Sequence, residues 1–235
     1  MSIAENITKI QERIAAAATR SGRSHQEITL MAVSKTFPAE SIREAYAAGL
    51  RMFGENRVQE FSSKIERLRD LRDAEWHLIG HLQSNKTAKA AELFDAIDSL
   101  DSMRVAEKLN ASVASATRKL RVLIEINVGG EKAKSGLSPD SNELDQILQV
   151  APRWENLEIQ GLMTVPPYTE DPEGARQYFR QLRQLRDKIA ARNLPKIGME
   201  VLSMGMSHDF EVAIEEGSTC VRVGTAIFGT RQKPE

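Results

Sequence analysis

The sequence predicts an α/β fold, a (β/α)₈ TIM barrel with an extra N-terminal helix. Short apolar runs recur along the chain, separated by stretches of helical periodicity, and eight such strand–helix units fit into 235 residues. No low-complexity linker, composition shift or repeat beyond this alternation marks a second domain, so residues 1–235 are read as one domain. Apolar runs bounded by polar sequence suit strands buried on both faces, as in parallel sheets, and helical connections make neighbouring strands parallel. An open, doubly wound sheet of the same units is the alternative, because periodicity does not reveal closure.

Ser2 and Glu5 stand at capping-box spacing, and Ile3, Ile7, Ile10 and Ile14 recur at helical intervals. They predict a first helix that ends near Gly22 and precedes any strand. Residues 28–34 form the first strand, which runs into Lys35. Pro38 and Gly49 bracket the next helix, and residues 51–54 give a second strand followed by Glu55 and Asn56. A helix over 58–71, a strand over 76–79, a helix over 85–93 and a strand over 96–100 continue the alternation. Ser102 opens a helix reaching about residue 118, and residues 122–126 are the clearest strand. The loop over 127–138 carries three glycines, after which Ser138 and Pro139 are read as starting a helix. The sixth strand covers 157–164, and a Pro-rich loop leads to a helix over 173–192. Residues 201–206 and 219–223 supply strands seven and eight, with Glu-rich helical sequence between them.

Composition narrows the function classes. Thirty-two basic against thirty-three acidic residues leave a formal net charge of -1, so no overall field recruits nucleic acid or an anionic membrane. Any anion must be bound locally. The single cysteine, Cys220, lies in an apolar strand run, makes no internal disulfide and is expected to pack as a small hydrophobe, which suits a reducing cytoplasm. The amphipathic N-terminus is interrupted by charges and lacks the apolar core of a signal peptide. No run approaches membrane-spanning length, so a cytoplasmic location is expected.

In a barrel, chemistry collects at the C-terminal ends of the strands, and phosphate sites often follow strands seven and eight. Ser207 is read there as a helix N-cap, with Asp209 and Glu211 in the first turn, while Gly224 and Thr225 bend the chain and leave amides uncovered. Two neighbouring turns of this kind make a cup for a phosphate, although a capping serine and a turn glycine are also ordinary structural devices. By the same rule Lys35 ends strand one, Asn56 ends strand two, His81 follows strand three, and Met163 and Thr164 close strand six, so these side chains share one mouth.

Most lysines are solvated surface charges. One enclosed beside cationic or apolar neighbours loses its proton more readily, and the free amine attacks an aldehyde to form a Schiff base. A phosphate cup with a strand-end lysine therefore points to a phosphorylated carbonyl compound, either a sugar phosphate or pyridoxal phosphate. Val221 and Val223 flank Arg222, so alternation turns the arginine to the face opposite theirs, and a barrel allows that face to be the interior. A guanidinium facing a pyridine nitrogen keeps that nitrogen unprotonated and makes the cofactor a weak electron sink. A carboxylate partner for Arg222 is the alternative. His77 and His81 are four apart, but no carboxylate or cysteine at suitable spacing completes a metal set, and no metal is expected. Trp76 and Leu78 are expected on one face of their strand, with His77 and Ile79 on the other.

The segments MAVSKT around Lys35, FGENRVQE from Phe53, WHLIGHLQSNK from Trp76, GGEKAKSG from Gly129, GLMTVPPYTED from Gly161, LSMGMSHDFEVAI from Leu202 and VRVGTAIFG from Val221 span nearly the whole chain. Together they resemble the pyridoxal phosphate homeostasis proteins, the YggS or proline-synthase co-transcribed group. The resemblance implies a barrel like the N-terminal domain of the alanine racemases, with pyridoxal 5'-phosphate held as a Schiff base on a lysine, the position that Lys35 matches. Arg222 matches the arginine at the pyridine nitrogen, Ser207, Gly224 and Thr225 match phosphate contacts, and Asn56 matches a polar residue near the ring; His81 matches less closely. Leu78, where an aromatic is usual, and His208, where an acidic residue is usual, depart from the pattern. His208 beside the phosphate cup would make phosphate affinity more pH-dependent.

The implied role is maintenance of vitamin B6 supply, with effects on amino-acid and keto-acid balance and without catalysis. The expected partners are the small-molecule cofactor and, transiently, apo enzymes that receive it; a monomer is expected. Racemases of this fold need a second acid/base opposite the lysine, normally a tyrosine from a separate β domain of the partner subunit. This chain ends at Glu235 directly after strand eight, so that domain is expected to be missing. Tyr46 and Tyr178 fall in helical sequence, and Tyr168 is read as a loop residue rather than a base. A minimal amino-acid racemase using Lys35 as one base, and a Schiff-base sugar-phosphate lyase, are the rival readings. Lys132 and Lys134, in the loop after strand five, are either solvated loop residues or secondary acceptors of the cofactor.

Overall fold

A computed structural model describes residues 2–113, 118–131 and 133–230. Eight parallel strands close into a barrel in sequence order: β1 (Thr29–Val33), β2 (Met52–Glu55), β3 (Glu75–Leu78), β4 (Ala96–Leu100), β5 (Leu120–Glu125), β6 (Leu157–Met163), β7 (Ile197–Met206) and β8 (Cys220–Val223). β8 returns to β1 with Met31 opposite Arg222 and Ala32 opposite Val223, so the sheet has no edge and the open doubly wound alternative falls away.

The extra N-terminal helix, α1 (Ile3–Arg20), opens with the expected capping box between Ser2 and Glu5 and buries Ile7, Ile10 and Ile14. The other helices are α2 (Ala39–Ala47), α3 (Val58–Lys64), α4 (Thr87–Leu93), α5 (Met103–Ser112), α6 (Asn142–Val150), α7 (Arg176–Ala190), α8 (Phe210–Glu215) and α9 (Thr225–Phe228). α1 packs beside α8 and α9, where the chain re-enters the barrel after β7 and β8.

Several boundaries differ from the sequence reading for local reasons. α3 gives way to a 3₁₀ turn over Ile65–Leu68, so the helix predicted to residue 71 is shorter. α5 stops at Ser112, and residues 114–117 of its predicted continuation lie outside the described residues. α6 begins at Asn142, not at Ser138. Ser141 is its cap, accepting the Leu144 amide at 3.2 Å, while Leu137 just before still pairs with Ile126 at the end of the barrel. β7 reaches back to Ile197 through register shifts against β6. At the shift, a Cβ on Gly161 would stand 1.8 Å from the Val201 carbonyl oxygen, so only glycine allows these strands to approach.

The core has two layers. Outside the barrel wall Phe53 stacks on Trp76 at 5.1 Å, and Phe61 of α3 joins Trp76 and Phe94 at 4.9 and 4.8 Å, sealing the helices to β2 and β3. Trp76 and Leu78 belong to this apolar layer, whereas His77 turns the other way and meets Asp98 of β4 at 3.0 Å. The interior thus carries buried ionisable groups, His77 and Asp98 pairing with each other while His77 Nε2 and Asp98 Oδ2 have no hydrogen-bond partner among the described residues. Among the described residues, no helix is long and apolar enough to cross a membrane.

Candidate functional site

A cavity of about 550 Å³ opens at the C-terminal end of the strands, and Lys35, Asn56, Ser207, Arg222, Gly224 and Thr225 all line it. Residues distant in sequence meet here because each lies within two residues of the C-terminal end of a parallel strand.

Lys35 is half-buried, in a tight turn after β1. The turn closes with the Phe37 amide donating to Ser34 O at 3.1 Å and holds Thr36 at φ 68°, a left-handed conformation uncommon for a non-glycine residue. The Phe37 ring packs on Phe228 of α9 at 4.8 Å, tying this turn to the helix after β8. Behind the turn lies a buried polar cluster. Ser34 Oγ donates to Glu55 Oε1 at 2.7 Å, and Lys64 Nζ reaches both Glu55 oxygens at 3.2 Å. Burial raises the pKa of the Glu55 carboxyl, and the Lys64 charge opposes that shift.

Asn56 follows β2 and seats against the end of β3. A Cβ at Gly80 would lie 2.3 Å from Asn56 O, so the bare backbone at position 80 lets the asparagine into the mouth.

Arg222 is only 3 % exposed. Its Nη1 donates to Ser203 Oγ and its Nη2 to Thr164 O, both at 2.7 Å, so a hydroxyl and a carbonyl orient the fork rather than the carboxylate considered from sequence. Burial pulls its pKa down, opposed by the charges of Asp98, Glu125 and Asp209, and a guanidinium so held remains protonated.

Ser207 differs in role from the sequence reading. α8 starts at Phe210, and Asp209, whose Oδ1 accepts the Met206 amide at 2.7 Å, closes the turn ahead of it. Ser207 is therefore not the N-cap. Its Oγ instead accepts from Gly224 N at 3.3 Å and Ala226 N at 3.5 Å. The Gly224 amide, expected to be uncovered, is engaged by a long hydrogen bond to a rotatable hydroxyl. Thr225 stands exposed at the rim.

The remaining residues divide between two ends of the barrel. His81 lines the C-terminal cavity and holds Asp101 through Nδ1 at 2.6 Å. His77 lines a separate cavity of about 420 Å³ with Asp98 and Cys220. The two histidines do not converge, and among the described residues no group of three side chains is suited to a metal. His208 lines the C-terminal mouth with Nε2 at 3.2 and 3.1 Å from the Thr169 and Glu170 carbonyl oxygens, and its ring makes a tilted contact with Tyr168, which is 79 % exposed. Lys134 pairs with Glu131 and donates to Pro166 O at 3.2 Å, joining the loops after β5 and β6. Lys132 lies outside the described residues.

Sequence reasoning missed two acidic residues. Glu125 ends β5 in the same cavity; Ser135 donates to its Oε1 at 3.1 Å, Oε2 has no hydrogen-bond partner among the described residues, and burial pushes its pKa up. A carboxylate inside the apolar run VLIEI was the available signal. Glu55, beneath the Lys35 turn, carried the same signal at the end of β2.

Comparison with known proteins agrees with this fold. Residues 3–232 match the family described as alanine racemase, N-terminal domain. A pyridoxal phosphate homeostasis protein of Aquifex aeolicus is 46% identical over 232 residues, covering 99% of this chain and 100% of the relative. The structure of PipY from Synechococcus elongatus PCC7942 with pyridoxal phosphate (PLP) bound superposes with a TM-score of 0.84 at 38% identity, covering 97% of this chain and 100% of that one. Alanine racemase of Clostridium difficile 630 shares the fold at TM-score 0.74 and 14% identity, and the chain spans 58% of its length. By fold, family match and close relatives alike, the chain belongs to the alanine racemase N-terminal domain family and, within it, to the pyridoxal phosphate homeostasis proteins.

Proposed function

We propose that this protein binds pyridoxal 5'-phosphate as a Schiff base on Lys35 and holds it for delivery to apo enzymes, without turning over a substrate. One observation carries the reading: a single cavity gathers a half-buried strand-end lysine, a buried guanidinium, and the hydroxyl and amides of two adjacent turns. That donor set fits a ligand with an anionic phosphate ester, a carbonyl carbon and a ring nitrogen that accepts a hydrogen bond.

When bound, pyridoxal phosphate supplies the aldehyde that condenses with an amine, with loss of one water. The chain's residues supply the rest. Ser207, Gly224 and Thr225 receive the phosphate, the serine hydroxyl turning from acceptor to donor. Arg222, fixed by Ser203 and Thr164, presents a permanent cation to the ring nitrogen and so disfavours its protonation. Asn56 would flank the ring, and Lys134 joins the loops after β5 and β6 beside it through Pro166 O.

The name of the Aquifex relative supports a part in vitamin B6 homeostasis, and effects on amino-acid and keto-acid balance are proposed to follow from it. The chain is proposed to act as one domain, as a monomer, in the cytoplasm. Its fold likeness to a racemase motivates the rival reading of a minimal amino-acid racemase. Tyr168 offers that reading little, being 79 % exposed and in tilted contact with His208, and Tyr46 bonds to Asp73 outside the barrel. The purified, cofactor-loaded protein is expected to show a visible absorption band that Lys35→Ala abolishes; a colourless wild type after loading contradicts the proposal. Incubation with single L-amino acids in deuterated water is expected to give no α-proton exchange above free cofactor, and exchange at enzymatic rates supports the racemase.

A further inference from the structure

The cluster beneath the Lys35 turn holds more than its own charges. Lys64 Nζ meets Glu60 Oε1 at 2.7 Å, the two Glu55 oxygens at 3.2 Å and the carbonyl oxygen of Ser34 at 3.3 Å. Glu60 in turn accepts the amide of Thr36. The residues immediately before and after Lys35 are therefore both fastened to one ion cluster, Ser34 through its carbonyl and its hydroxyl, Thr36 through its amide. Thr36 is the residue held at φ 68°, a conformation that persists where surrounding contacts over-determine it.

Burial sets the strength of these contacts. The Glu55 side chain is fully buried and that of Lys64 is 12% exposed, so the pair is poorly screened and its geometry is fixed. Glu60 is 25% exposed. Burial alone would raise the Glu60 pKa, but the hydrogen bonds from Lys64 and Thr36 outweigh it and keep the carboxyl below its usual range, which maintains a charged acceptor for the Thr36 amide.

We propose that Lys64 is a positioning residue which, through Glu60 and Glu55, clamps the turn on both sides of Lys35 and so sets where that amine stands in the cavity. The inference rests on the reading of Lys35 as the attachment point. A purely structural cluster would satisfy Glu55 and leave the turn free to adopt its conformation unaided.

The test uses the full chain with Lys64→Met, Lys64→Arg and Glu60→Gln. Hydrogen–deuterium exchange of residues 34–37 is measured in the ligand-free protein, and release of pyridoxal phosphate is followed in the loaded protein by decay of the visible band with semicarbazide as trap. Glu60→Gln and Lys64→Met are expected to accelerate both exchange and release about tenfold, the equivalent of one charge-assisted hydrogen bond, while Lys64→Arg retains most of the wild-type behaviour. Unchanged exchange, or faster exchange with unchanged release, overturns the proposal, whatever happens to the melting temperature. If Lys64→Met fails to fold, Glu60→Gln decides alone, since its carboxylate is partly solvated and the amide keeps its shape. If the wild type carries no cofactor on Lys35, the binding reading fails, and the ligand-free exchange still decides whether the clamp exists.

Discussion

The hydroxyl oxygen of Ser207 accepts the amide of Gly224 at 3.3 Å, joining the turn after β7 to the turn after β8 across 17 residues of sequence. The serine oxygen thus stands where amides of the second turn converge, a position that an anion's oxygen can take while the hydroxyl rotates to donate. Ser207→Ala is expected to weaken binding of both inorganic phosphate and pyridoxal phosphate about tenfold, through loss of one hydrogen bond to a charged group. Titration calorimetry measures the affinities. Unchanged affinity for both ligands would put the phosphate elsewhere.

His77 and Asp98 give the fold a dependence on pH separate from the cofactor site. Burial alone would lower the His77 pKa, but the Asp98 charge and hydrogen bond, together with Glu75, raise it to about 9 from 6.5. The folded state therefore binds the proton more tightly than the unfolded chain. This contribution is fully present below about pH 6.5 and fades as pH rises through about 9. Urea unfolding is expected to show a loss on the order of 3 kcal/mol across that window, absent in His77→Gln. A flat wild-type profile would contradict the pairing.

Gly161→Ala is expected to cost more than about 3 kcal/mol, because the new Cβ meets main chain, which cannot swing aside as a side chain can. The clash is with Val201 O, at 1.8 Å. Chemical denaturation of the purified variant, or its failure to accumulate in soluble form, tests this.

Burial pushes the Cys220 thiol up to about 12, so almost none is thiolate at neutral pH. The native protein is expected to react with a thiol reagent only as fast as it opens, and completely in denaturant. Rapid native labelling would place the thiol at the surface.

Most of the architecture was legible because parallel barrel strands are buried on both faces and so appear as short apolar runs, and all six candidate site residues lie within two residues of strand ends that the alternation located. Closure was not legible: it depends on β8 pairing with β1, a contact 191 residues apart between Thr29 and Cys220. The role of Ser207 was misread because a serine three residues ahead of a helix looks the same in sequence whether it caps that helix or reaches across to Gly224. Glu125, Lys64 and the burial of Glu55 escaped notice for a related reason. A charged residue reads as solvated until the fold supplies its buried neighbours.

The central claim concerns one amine, and borohydride reduction of the cofactor-loaded protein followed by peptide mapping tests it most directly. The account predicts a reduced pyridoxyl adduct on the peptide containing Lys35, lost in Lys35→Ala and diminished in Ser207→Ala. An adduct confined to any other lysine, or none, would contradict it.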